Sequence, residues 1–239
     1  ITPLESLTEL TWVDLHWANR GKQPLPIEPL AKLTKLEYIS IESNDLTDIS
    51  PLAELAPYQN LTYIKLNANH ITDISPLQGF FDAMMEDENY QCRIEAINQS
   101  VLLDQPLGLF APAAGGDVAF SQALPDITPV NTMMLEGATL KGGLEDTVTP
   151  YVDDDEGTLL GFTFPSNEYG QSYQEICQLE LSFIDWMTFT EYIVYVPVQV
   201  EQAVSYLLTI LPEAPQMLNE MTRQEDGCSS SEYFVGTLY

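Results

Sequence analysis

Two histidines, His16 and His70, are the residues of this chain that most readily do acid–base chemistry near neutral pH. Neither has a serine, cysteine or carboxylate at the spacing of a nucleophilic catalytic motif. The sequence also lacks phosphate-binding glycine loops, the dinucleotide-binding glycine pattern and the zinc-protease motif. We therefore predict that His70 is a turn residue, that the chain is not an enzyme, and that it uses no cofactor.

Metal binding could come from four consecutive acidic residues at positions 153–156. Ca²⁺ takes several oxygen ligands, but this spacing does not match an EF-hand loop, and adjacent carboxylates commonly face water. We predict no metal site. The three cysteines, Cys92, Cys177 and Cys228, are too few and too far apart for a disulfide framework. Three buried or free thiols are favoured, and a single bridge between Cys177 and Cys228 stays open.

Binding chemistry comes instead from an internal repeat, whose short strands would place alternate side chains on one concave face. The predicted ligand-binding side chains form three columns: Trp12, Tyr38 and Tyr63; Asp14, Ser40 and Lys65; and His16, Glu42 and Asn67. The aromatic column would supply contact area with polar tips. The alternative is that the three rings simply pack on one another as cross-strand neighbours.

The repeat is clearest at residues 36–77, where the pattern L-x-x-I-x-[IL]-x-x-N-x-[LI] occurs twice, 25 positions apart. A looser copy begins at Leu10, and insertions in connecting segments conceal an underlying period of 22 residues. Such units stack so that their strands form a parallel sheet, each followed by a helical or 3₁₀ segment, here near residues 50–55. Asn44 and Asn69 end two strands, and their amides should satisfy buried backbone groups of the bend.

The motif N-x-[LI]-T-D-I-S-P-L, which ends at Leu52 and again at Leu77, resembles the 22-residue repeat of internalins and related bacterial surface proteins. Residues 94–99 resemble the last strand of that family's array. The resemblance implies that an immunoglobulin-like domain follows without a linker, and residues 148–150 and 192–200 are similar to landmarks of that domain. In this family the concave-face residues read the partner and differ between members, so the resemblance implies no particular ligand.

The residues after Ser100 independently favour an all-β sandwich, because short β-rich runs alternate with Gly, Pro and Asp turns. The predicted strands are 101–103, 107–110, 117–120, 133–135, 159–164, 176–184, 192–200 and 204–210. The predicted fold is mixed: a short leucine-rich-repeat solenoid at 1–99, with about three repeats, fused to an immunoglobulin-like sandwich at 100–212. Residues 213–239 form an extension that either begins another module or adds an edge strand.

The charge balance argues against two classes of partner. Eight Lys and Arg stand against 36 Asp and Glu, and the net charge of −28 repels nucleic acid and anionic membrane surfaces. No apolar run is long enough to span a bilayer, so membrane insertion is not expected. The chain begins inside a repeat. We therefore expect a signal peptide upstream, and the open end of the array covered by upstream residues or by residues 1–9.

The repeats, the aromatic column and the all-β region together favour a secreted or cell-surface protein of a Gram-positive-type bacterium. We expect it to bind a host or cell-surface protein or glycan through the concave face, as an adhesin would. The alternative is a structural spacer or stalk segment of a longer wall-anchored protein, with no ligand of its own.

Overall fold

The structure is a computed structural model that describes residues 1–19, 23–120, 126–153, 157–167 and 173–203. Its first part alternates short strands with 3₁₀ segments. The strands are β1 Trp12–Asp14, β2 Tyr38–Ser40, β3 Tyr63–Lys65 and β4 Arg93–Ser100. The 3₁₀ segments are Thr2–Ser6, Glu28–Lys32, Ser50–Tyr58 and Ser75–Leu77. The order of strand and 3₁₀ segment predicted for the repeat is confirmed.

The four strands pair in parallel, with matching positions of successive repeats side by side. One row of the register consists of Trp12, Tyr38, Tyr63 and Arg93. The next row is buried and consists of Val13, Ile39, Ile64 and Ile94. A proline lies at the start of each 3₁₀ segment, because its fixed φ suits the first turn and its missing N–H is not needed there.

A ladder of buried amides joins the repeats where their strands end. The Asn69 Oδ1 accepts hydrogen bonds from the backbone N–H groups of Asn44 at 2.9 Å and Leu46 at 3.2 Å. The Asn69 Nδ2 donates to the Leu66 carbonyl at 2.7 Å. Asn44 serves the preceding bend in the same way, with its Oδ1 2.8 Å from the backbone nitrogen of Ala18. Both asparagines are buried, which confirms the structural role predicted for them.

Gln99 adds a further rung that the sequence analysis did not identify. Its Nε2 donates to the Leu66 carbonyl at 2.9 Å, and its Oε1 accepts from the backbone N–H of Ile71 at 3.2 Å. Arg93 is the partner of Tyr63 in the register of β3 with β4. Gln99 follows Arg93 by as many residues as Asn69 follows Tyr63, so Gln99 is the counterpart of Asn69. The side chain differs in length, but the amide that the bend requires is kept.

Helix α1, Gln78–Glu86, was also not predicted. It follows the last 3₁₀ segment directly and buries Phe80, Phe81 and Met84. These side chains recur at the three- and four-residue spacing of a helical face. The repeat motif ends at Leu77, however, so a search by repeat pattern stops just before the helix begins. The helix occupies the longer connection between β3 and β4.

The chain after β4 is all β in the described ranges. Its strands are β5 Leu107–Ala111, β6 Gly116–Ala119, β7 Met134–Lys141, β8 Thr149–Asp153, β9 Thr158–Phe164, β10 Tyr173–Asp185 and β11 Thr190–Gln202. The first half of β11 pairs in parallel with β4, and its second half pairs in parallel with β5. The sheet then continues antiparallel through β10 to β7. One sheet therefore runs from the first repeat into the part of the chain after Ser100, here called the second region.

A second sheet has the order β6-β9-β8 and lies against β7. Phe162 of β9 and Leu140 of β7 are fully buried, and both belong to the same apolar core as the repeat residues. The sheet-rich architecture expected after Ser100 is present, as two sheets. Its immunoglobulin-like character stays a prediction, as do the boundaries at 99 and 212.

The strand predictions differ from the structure in three places. Residues 101–103 are not a strand, because the chain leaves the sheet after β4. The predicted strand at 133–135 is the beginning of the longer β7, and β8 was not predicted as a separate strand. The predictions for 204–210 and for the extension at 213–239 lie outside the described residues.

Removal of one ladder amide should destabilise the chain, because the buried N–H groups of Asn44 and Leu46 would lose their acceptor. We expect Asn69→Ala to lower the free energy of unfolding by about 2–4 kcal/mol, as measured by urea denaturation. Asn60 is the control, because its exposed amide donates to the Thr34 carbonyl at 2.8 Å. Asn60→Ala should cost less than about 1 kcal/mol. Equal losses in the two variants would contradict the ladder's role.

Candidate functional site

The candidate site is the side of β1 to β4 that carries the three predicted columns, here called the array face. The rings of Trp12 and Tyr38 stack with centroids 3.6 Å apart and planes inclined by 6°. Tyr63 meets Tyr38 edge to face, with centroids 5.5 Å apart and planes inclined by 89°. Trp12 lies on β1, which pairs only with β2 among the described residues, and it is 61 % exposed. The rings therefore pack on one another, and the outer side of Trp12 stays open.

Strand β4 extends this column with a basic residue that the sequence analysis did not include. Arg93 follows Tyr63 in the register, and its guanidinium carbon is 5.5 Å from the Tyr63 ring centroid. The Lys65 Nζ is 5.1 Å from the same centroid. Both distances lie within the range of cation–π attraction. Positive charge thus borders the aromatic column on the β4 side.

Glu95, also on β4, is the centre of a polar network on the array face. Its carboxylate accepts hydrogen bonds from the Tyr63 hydroxyl and from the Asn67 Nδ2, the latter at 3.3 Å. It also pairs with Arg93 at 2.9 Å and with Lys65 at 4.0 Å. Arg93 and Glu95 are absent from the predicted columns because helix α1 lengthens the connection and breaks the repeat spacing. The alternation along β4 was the signal that could have revealed them.

The network shifts three pKa values. Burial raises the pKa of Tyr63 above its usual 10.0, and the hydrogen bond to Glu95 raises it further. Burial also raises the pKa of Glu95, but the hydrogen bonds from Tyr63 and Asn67 outweigh it, so this pKa lies below the usual 4.5. For Lys65, burial lowers the pKa, while Tyr63 and Glu42 raise it to a net value above 10.5. Charged Glu95 and Lys65 beside a neutral Tyr63 are therefore the favoured forms at neutral pH.

The remaining predicted residues form a second line of contacts. The Asn67 Nδ2 donates to Glu42 Oε1 at 2.8 Å, and the His16 Nδ1 lies 3.9 Å from Glu42 Oε2. Asp14 and His16 are exposed. Ser40 requires a correction, because it is 1 % exposed and donates to Glu42 Oε2 at 3.3 Å. Neighbouring side chains cover it, so it supports Glu42 and is not itself an accessible contact.

His70 lies away from this network, in a turn. Its Nδ1 is 2.8 Å from the Ser100 carbonyl oxygen, and its Nε2 is 3.6 Å from Asp45 Oδ1. This agrees with the turn role predicted for it. Within the described residues, no group of three His, Cys, Asp or Glu side chains could hold a metal ion, and residues 154–156 lie outside them. The helices in the described part of the chain are all too short or too polar to cross a membrane.

Comparison with protein families is informative for the first part of the chain. A family model described as "Leucine Rich repeats (2 copies)" matches residues 34–79. This segment is a leucine-rich-repeat array. The match covers β2, β3 and the 3₁₀ segments that follow them, so two of the strands that carry the array face lie inside it. No curated protein matches the chain.

Solved structures show partial similarity. The functional domain of InlJ from Listeria monocytogenes is 13 % identical, with 79 % of this chain and 41 % of that chain covered and a TM-score of 0.37. The CBM51-2 and INT domains of ZmpB from Clostridium perfringens are 14 % identical, with 72 % and 30 % covered and a TM-score of 0.32. The same domains in complex with GlcNAc give a TM-score of 0.31. The chain spans less than half the length of each, and similarity at this level assigns neither fold nor function.

The Tyr63 hydroxyl should contribute to the pH dependence of stability. Because the pKa of Glu95 is lowered in the folded chain, its stabilisation is present above the unfolded value of 4.5 and is lost as pH falls through the folded value. We expect Tyr63→Phe to lose about 1–2 kcal/mol of unfolding free energy at neutral pH and less at about pH 3. Urea denaturation at both pH values measures this. Tyr58→Phe, at an exposed tyrosine, is the control. An equal loss at both pH values would contradict the assignment.

Proposed function

We propose that the chain is a binding module that engages a protein or glycan ligand through the array face. The observation that carries the proposal is one exposed surface on which the aromatic column contacts the charged network around Glu95. The leucine-rich repeats at residues 34–79 support it, because stacked repeats present extended binding surfaces.

The array face is also largely preorganised. The Tyr63 hydroxyl and the Asn67 amide are both held by Glu95, and Tyr38 is held between two rings. Side chains fixed in the free protein lose little rotamer freedom on binding, so more of the contact energy appears as affinity. Trp12 adds exposed aromatic area of the kind that dominates binding energy at protein interfaces.

We further propose that the module belongs to a secreted or cell-surface protein of a bacterium, where it serves adhesion. The internalin-like motif that ends at Leu52 and at Leu77 supports this location. The proposal includes an immunoglobulin-like second domain that caps the array. Its support is the pairing of β11 with β4, which covers an edge that a free repeat array would expose.

The proposal excludes catalysis. Cys92 and Cys177 are buried, and burial raises the pKa of both thiols, that of Cys92 to about 12. Thiols held protonated in this way are poor nucleophiles at neutral pH. Cys228, and with it the question of a bridge to Cys177, lies outside the described residues.

A structural spacer is the second candidate, and the shared sheet favours it. Strand β11 pairs with β4 on one side and with β10 on the other, so the array and the second region form a continuous unit without a flexible joint. Such a unit would transmit force along a stalk. A spacer would tolerate the loss of the array-face rings, whereas a binding module would not.

Capture from host cell-surface and mucus extracts distinguishes the two candidates. We expect the immobilised chain to enrich a specific protein or glycan. The combined variant Trp12→Ala and Tyr38→Ala should reduce that capture by about tenfold or more, because it removes two of the three rings of the aromatic column. The control is Tyr58→Ala, which removes a 52 % exposed aromatic from a 3₁₀ segment that packs on other 3₁₀ segments.

Three outcomes are informative in this experiment. Loss of capture with circular dichroism and thermal unfolding close to wild type supports the binding module. Undiminished capture by the combined variant would show that the ligand binds somewhere other than the array face. Absence of any specific capture by the wild-type chain would favour the spacer.

A further inference from the structure

The array face does not end at β4. Strand β11 lies beside β4 with Tyr192 opposite Ala96, and both of these residues are fully buried. Because side chains alternate along a strand, the preceding residues, Glu191 and Glu95, point to the opposite side, which is the array face. The surface therefore continues onto a strand that lies far later in the sequence.

A cleft of about 500 Å³ separates β4 from the turn that connects β10 to β11. Its walls include Arg93, Glu95 and Ile97 on one side and Thr188, Phe189 and Glu191 on the other. The first wall is the β4 row of the array face. The cleft therefore opens beside Arg93, where the aromatic column ends, and the turn forms its far rim.

Phe189 is the most unusual residue of this cleft. It is 77 % exposed, and its φ of 53° lies in the left-handed region. A bulky side chain is disfavoured there, and a phenyl ring gains nothing from exposure, so neither backbone preference nor burial explains this residue. Outliers of this kind concentrate at functional sites. Trp186 and Met187, in the same turn, are also exposed but lie outside the lining of the cleft, and the Trp186 Nε1 donates to Glu136 Oε1 at 2.7 Å.

Glu191 determines which charge the cleft favours. Arg93 and Lys65 interact with Glu95, and Lys65 also interacts with Glu42, whereas the Glu191 carboxylate has no hydrogen-bond or ion-pair partner among the described residues. The net charge of −28 adds a long-range attraction for cations. A positively charged group at the Glu191 wall, opposite Arg93, therefore complements this cleft.

Ring geometry on the array face favours a protein segment over a glycan. A sugar binds an aromatic residue by laying its C–H face on an open ring face. The ring of Tyr38 stacks on Trp12 and also meets Tyr63, so within the column only the outer face of Trp12 is open to a sugar. One open ring beside the charged groups around Glu95 and the exposed Phe189 suits the mixed polar and apolar groups of a protein.

We propose that the array face and the cleft together bind a basic segment of a protein partner that also carries an apolar anchor. A lysine or arginine of the partner lies beside Glu191, and the apolar side chain packs against Phe189. This rests on the proposed function of the array face and adds the chemistry of the partner. The second region then contributes directly to the binding site.

A selection experiment tests the chemistry of the partner. The full chain is panned against a phage-displayed library of random short peptides and, in parallel, probed on a glycan array. The selected peptides should be enriched in Lys or Arg together with an aromatic or aliphatic residue. Their affinity, measured by fluorescence anisotropy, should fall as NaCl rises from about 0.05 to 0.5 M, because salt screens the charge pair.

Two cleft variants and two matched controls test the location. Glu191→Gln should weaken the selected peptides about tenfold and flatten their salt dependence. Phe189→Gly should weaken them similarly without lowering the melting temperature, because glycine relieves the left-handed backbone. Glu54→Gln and Tyr58→Gly make the corresponding changes on the 3₁₀ segment Ser50–Tyr58 and should leave affinity within about twofold of wild type.

The outcomes separate this inference from the function on which it rests. Peptides that lose affinity in the combined aromatic variant but not in the cleft variants would support binding at the array face and contradict the role of the cleft. Binding of a glycan through the array face would support the proposed function of that face. It would contradict the inference that the partner is a protein. Failure to select any basic peptide, or peptides insensitive to both surfaces, would also overturn the inference.

Discussion

The buried amide ladder is the constraint on which the rest of the array depends. A tight bend after each short strand leaves backbone N–H and carbonyl groups inside the protein, where water cannot reach them. Asn44, Asn69 and Gln99 supply one acceptor and two donors each at these bends. With the bends fixed, the strands align in register, and the outward side chains fall into straight columns.

The charged groups beside the columns come from neighbouring strands together, and no single repeat supplies them all. The charged cluster exists because β4 places Arg93 and Glu95 next to Tyr63 and Lys65 of β3. Strand β4 has β11 on its other side. The outward side chains of β4 therefore lie between those of the repeats and those of β11. Within the described part of the chain, the charged cluster therefore lies at the junction between the repeats and the later strands, and the most regular repeats lie to one side of it.

Positions that depend on a local period can be predicted from the sequence. The row that contains Trp12, Tyr38 and Tyr63 follows from repeat spacing and from the two-residue alternation of strands. Positions that depend on non-local contacts cannot be predicted in this way. The burial of Ser40 depends on neighbouring side chains that cover it, and Arg93 is displaced from the repeat by helix α1. Nothing in a local pattern reveals that Glu191 lies beside Glu95, because parallel pairing joins distant segments.

The link between Tyr192 and the array has a consequence for the order of folding. The Tyr192 hydroxyl donates to the Ile71 carbonyl at 2.9 Å, across 121 residues of sequence. A chain made from its N-terminus therefore exposes the β4 edge of its repeats until β11 has been synthesised. Contacts of such high contact order form slowly, and the waiting edge is open to pairing with other chains. The junction that enriches the surface thus makes the nascent array dependent on residues translated much later.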